Sequence, residues 1–455
     1  MSIYKAYDIR GIYPSELDEA IAYKVGRAFA TLMRKEQKRA DEVRLVVARD
    51  MRTSGESLTD KVIAGLRDAG ASVVYCGLTA TPTFYFAVAR YGYDGGIMVS
   101  ASHNPKQYNG FKMVRRHAAP LSYETGIAEI ERMVTTDDLG PKMATGTYSE
   151  KEGVLDDQIA HDLRYGDIRH IAPFKVVADA ANGMGALYLQ ALFAKLPCDL
   201  IPMNFELDGT FPAHEADPLK EENLKDLQKR VIRERADIGI STDGDGDRIF
   251  FVDNMGKTVE PGIVRGILAT LFLADRPGSK IGYDVRPARI TRDMILAAGG
   301  VPVVTRVGHS LIKSQMKHDN LYFAGESSGH FYLNMLHGCY EVPVIVILKL
   351  LAELTQSKKT LAQYIAPLQK YAHSGEINTR VTDIPTVIEA IAQKYSDGKQ
   401  DRLDGVSIEY PNYWFNVRGS NTEPLIRLNL EATSEKLMEE KRNEVLGLIR
   451  GFALK

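Results

Sequence analysis

The sequence predicts an α/β protein: three similar mixed α/β domains followed by a smaller α+β C-terminal domain. Three observations carry that expectation. The chain has 455 residues, 44% hydrophobic and 25% charged, the proportions of an ordinary folded protein, and at about 100 to 200 residues per domain its length allows roughly two to four domains. From Val43 onward short β-branched runs alternate with longer amphipathic ones, the pattern of a mostly parallel sheet covered by helices. The alternation returns twice more, then gives way after Lys370 to strand-rich sequence.

In the first domain (1–145), VRLVVARD (43–50) reads as a strand and SLTDKVIAGLRDAG (57–70) as a helix stopped by Gly70. SVVYCG is a strand, TPTFYFAVARYG a helix, and GGIMVSAS (95–102) a strand running into His103, Asn104 and Pro105. The second domain (146–256) repeats this with FKVVADAANG (174–183), a helix to Leu196, the strand CDLIPMN, a charged helix near 222–236, and DIGISTD (237–243) opening on GDGDR. The third (257–368) has SKIGYDVRPA, a helix to Gly299, VPVVTRVG, a helix from His309 to His318, and LYFAGESSGH (321–330). The likeness is one of pattern rather than residue identity, so duplication is a hypothesis. The fourth domain (369–455) reads as a strand near 375–383, a helix to Ala392, three strand-like runs between Val406 and Ala432, and a charged final helix.

With 57 Lys plus Arg against 59 Asp plus Glu, no global field draws the chain to nucleic acid or anionic lipid, and neither is expected as a partner. Cys76, Cys198 and Cys339 stand far apart in no metal or redox spacing, which points to reduced thiols and the cytoplasm. MSIYKAYDIRG reaches Asp8 and Arg10 before an apolar signal core can form, and the most apolar stretch, 342–351, contains Pro343 and Lys349. It is well short of the ~20 residues that span a bilayer, so no membrane association is expected.

Ligands gather beyond the carboxyl ends of strands in open α/β sheets, which singles out the loops closing each domain. ASHNP places Ser102 at a strand end as a nucleophile or phosphate carrier; the same residues also make an ordinary turn. STDGDGDR places Asp243, Asp245 and Asp247 at alternate positions with glycines between, so three hard carboxylates can converge on Mg²⁺ or Ca²⁺. A calcium hand needs Gly and Glu where this loop has Arg248 and Asn254, which excludes that motif. GESSGH offers Glu326, Ser328 and His330 to sugar hydroxyls, or simply to solvent. RGSNTEP (418–424) offers Arg418, Ser420, Asn421 and Thr422 as a phosphate cradle, or as a capped turn. A serine that can carry phosphate, a cation site, a sugar grip and a phosphate clamp together suit phosphoryl transfer, which depends on positioning and charge neutralisation.

These loops, with YDIRG at Tyr7, NGFK after ASHNP, and DGTFPAHEADP (208–218), resemble the α-D-phosphohexomutase family, most closely its phosphomannomutase/phosphoglucomutase branch. Asn421 argues against the phosphoglucosamine branch, where the matching residue is usually Gly. The resemblance spans the whole chain and implies four domains around a central cleft. It also implies a Mg²⁺-dependent mutase that moves phosphate between O1 and O6 of mannose and/or glucose phosphates, with hexose 1,6-bisphosphate as intermediate and activator.

Under that resemblance Ser102 is the phosphoserine, and Asp243, Asp245 and Asp247 with a phosphoserine oxygen hold Mg²⁺. Glu326 and Ser328 contact the sugar, while Arg418, Ser420, Asn421 and Thr422 bind the phosphate that is not transferred. Arg10, Lys112 and His330 are candidates for acid/base or charge-stabilising roles; a lysine beside other cations and Mg²⁺, as Lys112 would be, can have a lowered pKa. Tyr7, Arg248, Arg286 and His309 match further cleft positions. The bisphosphate must reorient by about half a turn to present both ends to one serine, and a hinge near 368 is expected to let the fourth domain move. The chain departs from the family pattern at Gly338, Cys339, Tyr340 and Glu341, where an acidic pair is common. The alternatives are a hexosamine-phosphate mutase, a phosphatase, and a non-catalytic phosphosugar or metal-binding protein; a monomer or homodimer is expected.

Overall fold

The computed structural model describes residues 2–37, 43–381, 383–420 and 425–452. The chain divides into two compact units: residues 1–259 with 316–320 and 328–364, and residues 260–315 with 321–327 and 365–455.

In the first unit, one sheet orders its main strands Ile9–Ile12, Tyr108–Arg115, Gly95–Val99, Arg44–Arg49, Ser72–Leu78 and Tyr148–Glu150. The last four run parallel, and Tyr108–Arg115 returns antiparallel beside Gly95–Val99. A second sheet runs Ile249–Asp253, Ile238–Thr242, Lys175–Asp179, Asp199–Met203, again with an antiparallel return at one edge. In the second unit, Phe323–Gly325, Lys280–Asp284 and Val301–Thr305 are parallel neighbours in that order. The spatial order third, first, second is therefore the same in all three sheets, which gives the repeated sequence pattern a repeated topology. The sheets are mixed, as expected: the antiparallel returns Tyr108–Arg115 and Ile249–Asp253 are buried along most of their length and so show no alternating period of their own.

Hydrophobic spacing explains the covering helices. Helix Glu221–Glu234 buries Leu224, Leu227 and Val231, one stripe at three- and four-residue intervals, and these cluster with Val177 and Val252 of the sheet. Helices Glu19–Gln37 and Gly55–Asp68 share a core of Val25, Phe29, Leu58 and Val62. They pack backbone to backbone: a Cβ on Gly65 would collide with the carbonyl of Tyr23. The second of these helices ends at Asp68, and Gly70 follows at φ 78°, the left-handed stop expected of it. The apolar segment near 342–351 lies in helix Pro343–Ser357, which buries residues on every side within the first unit.

The C-terminal sheet of the second unit is wholly antiparallel, in the order Ala372–Arg380, Leu425–Ala432, Tyr413–Gly419, Val406–Glu409, Lys399–Asp401. Asp383 and Ser434 accept backbone N–H groups at the starts of helices Ile384–Lys394 and Glu435–Arg450, satisfying donors that a helix leaves open.

Candidate active site

Three of the four loops singled out by sequence follow the third strand of the parallel set in their sheet. Ser102 comes three residues after Gly95–Val99, Asp243 directly after Ile238–Thr242, and Glu326 directly after Phe323–Gly325.

In the first unit Ser102 is buried and left-handed at φ 52°, a conformation that costs a non-glycine residue about 1–3 kcal/mol and is concentrated at functional sites. Its hydroxyl donates to Asp243 Oδ2 at 2.9 Å and lies 3.2 Å from His103 Nδ1. Burial, then the nearby Arg248 and Arg10, drive His103 well below the usual histidine range, so its ring is neutral. Gly244 carries the acidic loop against the serine loop: a Cβ there would stand 2.5 Å from the Ser102 carbonyl oxygen.

The three aspartates converge as the sequence predicts. Asp243, Asp245 and Asp247 are buried and present carboxylate oxygens within 4.8 Å of one another. Lys112, on the return strand Tyr108–Arg115, donates to Asp245 at 2.5 Å and to Asp247 at 2.6 Å. Burial alone would lower the pKa of Lys112, but Asp245 and Asp247 outweigh it and raise the value well above the usual lysine range. The two carboxylates favour the protonated ammonium. Asp247 is held well below the usual carboxylate range, with Lys112 and His330 overcoming the effect of burial. For Asp243, burial followed by repulsion from Asp247 and Asp245 outweighs Arg248, 3.7 Å away, and pushes it up to about 8.

Arg10 donates through Nε to Asp8 at 2.7 Å and through Nη1 to Asn104 Oδ1 of the serine loop at 2.5 Å. Tyr7 is half-buried in the bend before strand Ile9–Ile12. Arg248 lies 3.7 Å from Asp243 and 3.8 Å from Asp217. His330 links Ser328, whose Oγ is 2.9 Å from Nδ1, to Asp247, whose Oδ1 is 3.1 Å from Nε2. Thr81, absent from the sequence-based set, donates its hydroxyl to Asp245 at 2.6 Å and its backbone N–H to the Asp245 carbonyl at 2.9 Å.

Fit to a divalent cation can be judged from these groups. Asp245 Oδ1 is buried without a hydrogen-bond partner, the donors are all hard oxygens, and Asp243 is pushed up by its acidic neighbours in spite of Arg248. Such a set suits Mg²⁺.

The second unit assembles arginines. Arg286 donates to Asp284 at 2.5 Å and to Glu326 at 3.0 Å, and Glu326 also accepts the Gly308 backbone N–H at 3.2 Å. His309 opens helix His309–His318 directly after Gly308. Arg418 and Arg427 both reach Glu376, at 2.8 and 3.1 Å, and Arg427 donates to the Ser420 hydroxyl at 3.3 Å. Glu376 lies on strand Ala372–Arg380 with no sequence motif around it; burial would raise its pKa, but Arg418, Arg286 and Arg427 lower it. Asn421 and Thr422 lie outside the described residues. Of the sugar loop, Glu326 belongs to the second unit, and Ser328 and His330 to the first.

No helix among the described residues is long and apolar enough to cross a membrane. Comparison with known proteins gives the chain its family. The four phosphoglucomutase/phosphomannomutase domain models match residues 1–140 (alpha/beta/alpha domain I), 157–256 (II), 264–371 (III) and 376–448 (C-terminal domain). A phosphomannomutase of Methanocaldococcus jannaschii is 37% identical over 459 residues, covering 99% of this chain and 98% of that protein. A protein of Xanthomonas campestris pv. campestris described as phosphohexose mutases is 37% identical, covering 98% and 99%. The crystal structure of a phosphoglucomutase/phosphomannomutase family protein from Burkholderia thailandensis superposes with a TM-score of 0.90 at 31% identity, covering 99% and 98% of the two chains. With full-length relatives, four matching domains and a buried acidic cluster beside a strained serine, this chain belongs to the phosphoglucomutase/phosphomannomutase family of the α-D-phosphohexomutases and is an intramolecular phosphotransferase.

Proposed function

We propose that this phosphohexomutase interconverts the 1- and 6-phosphates of mannose and/or glucose through phospho-Ser102 and a hexose 1,6-bisphosphate. The observation that carries the reading is the Ser102 hydroxyl, buried on a left-handed turn and 2.9 Å from an acid of the metal-type cluster. In the first half-reaction the phosphorus–Oγ bond of phospho-Ser102 breaks as a bond to the free sugar hydroxyl forms; the hydroxyl proton leaves and Ser102 regains one. In the second, Ser102 takes the phosphoryl group from the other end of the bisphosphate, and that sugar oxygen takes the proton. Phosphate and protons balance over the cycle.

Asp243, Asp245, Asp247 and a phosphoserine oxygen would hold Mg²⁺, which when bound supplies Lewis-acid neutralisation of the transferring group. Lys112, held protonated, suits charge stabilisation better than proton removal. Arg10 and His330 remain candidates for moving the proton, His330 being oriented from both ring nitrogens. Glu326 and Ser328 would orient the sugar, with Tyr7, Arg248, Arg286 and His309 as further contacts. Arg418, Ser420, Asn421 and Thr422 would bind the phosphate that stays in place. The cysteines described are free, as a cytoplasmic enzyme requires.

A phosphorus NMR time course with mannose 1-phosphate, Mg²⁺ and a trace of hexose 1,6-bisphosphate tests this. The expected result is migration of the signal to the 6-phosphate without free phosphate. Ser102→Ala is expected to lower kcat at least about a thousandfold with unchanged circular dichroism; near-normal kcat would remove serine from the mechanism. The ratio of kcat/KM on mannose, glucose and glucosamine 1-phosphates ranks the sugars.

A further inference from the structure

The motif DGTFPAHEADP has no role in the chemistry above, and Arg52 appears in none of the sequence motifs, yet the two meet behind the reactive serine. Arg52 is 1% exposed. Its four Nη–H bonds all end on backbone carbonyls of the serine loop: Nη1 donates to Pro105 and Tyr108, both at 2.9 Å, and Nη2 to Ser102 at 2.8 Å and Asn104 at 2.6 Å. Its Nε edge faces Asp50 at 3.3 Å. The planar fork thus ties one loop at four points, something a lysine ammonium with three donors and no plane cannot reproduce.

The open face of the guanidinium is covered by Phe211, whose ring centroid lies 5.1 Å away. Phe211 is itself left-handed at φ 52°. Two residues earlier the chain rests directly on the backbone carrying the arginine, since a Cβ on Gly209 would come within 2.6 Å of Arg52 Cα and 2.7 Å of Met51 O. The far edge of the Phe211 ring points to Gly244 of the acidic loop, 3.5 Å from where a Cβ would be. The motif is pinned from behind by His214, 2.9 Å from Asp179.

From this arrangement we infer that Arg52 and Phe211 are positioning residues for phosphoryl transfer: Arg52 holds the serine loop in its left-handed form, and Phe211 locks Arg52 in register with the acidic loop. This rests on the reading of Ser102 as phosphoryl carrier. Neither side chain is assigned a contact with the sugar phosphate, so the effect falls on the chemical step.

Wild type, Arg52→Lys, Phe211→Leu and Phe211→Tyr are compared as full chains with Mg²⁺. The readouts are steady-state kinetics on hexose 1-phosphate and intact-mass measurement of phosphate transfer from glucose 1,6-bisphosphate to Ser102. Arg52→Lys is expected to lower kcat and the phosphorylation rate about a hundredfold, with KM changed by no more than about twofold. Phe211→Leu should lose about fivefold in both rates and Phe211→Tyr, which keeps the aromatic face, should recover them. If Arg52→Lys does not fold, the Phe211 pair decides alone. A folded Arg52→Lys enzyme with kcat within about twofold of wild type, or Phe211→Tyr and Phe211→Leu indistinguishable from each other, overturns the inference. Wild-type turnover with no phosphate ever on Ser102 instead overturns the phosphoserine reading on which it rests.

Discussion

The first unit gathers buried carboxylates around one ammonium, whereas the second gathers guanidiniums around carboxylates that tie them together. Asp245 and Asp247 share Lys112, and Asp243, outside that pair, is pushed up to about 8 by burial and by its acidic neighbours. Arg418, Arg286 and Arg427 surround Glu376 and draw it down in spite of burial. The directions are therefore opposite, decided by which charge is in excess around each carboxylate. The first cluster has the charge to receive a cation and the second the charge to receive an anion.

The largest effect that would break this contrast lies in the first cluster. Asp245→Asn, or removal of metal with EDTA, is expected to lower kcat about a thousandfold, with Mg²⁺ restoring the chelated wild type but not the variant. A variant that kept its activity and its Mg²⁺ dependence would take Asp245 out of the metal site. Next in size, Arg418→Lys should raise KM for hexose 1-phosphate by about 10- to 100-fold through loss of a buried planar donor, leaving the Mg²⁺ concentration dependence unchanged. A shift in the Mg²⁺ dependence would mean that the clusters do not act separately.

The smallest effect is on stability against pH without metal, and its sign differs between the clusters. The raised pKa of Asp243 is a penalty present at pH above 8 and relieved as pH falls toward its ordinary 3.8. Asp243→Asn should therefore melt higher than wild type at pH 8, with the gap narrowing on acidification. The lowered pKa of Glu376 contributes stability above its ordinary 4.5 that is lost as pH falls through the folded value. Glu376→Gln should accordingly melt lower at neutral pH and converge with wild type only in acid. Shifts of about 2–4 °C per kcal/mol are expected for domains of this size, and parallel pH profiles for the two variants would refute the contrast.

The parts of the site legible in sequence are those in which reactive residues sit among turn formers, as Ser102 does beside Asn104 and Pro105, and the three aspartates beside their glycines. Thr81, Arg52 and Glu376 were not legible, since each acts on residues 42 to 164 positions away and none has a local pattern. The partners of Lys112 were not legible for the same reason: its two carboxylates are 133 and 135 residues distant. Helix Glu19–Gln37 is a different case. Its acidic first turn, basic last turn and apolar stripe were present in the sequence, but the alternation of strand and helix that organises the reading begins only at Val43.

The recurrence of one strand order in three sheets places three different chemistries at the same structural address. A serine, a triad of acids and an arginine-bound glutamate each follow the third parallel strand, where the scaffold tolerates exchange of a short loop without change to the layers beneath. Each of these repeated sockets can then specialise on its own, and change in the loop of the third need not rewrite the serine of the first or the acids of the second.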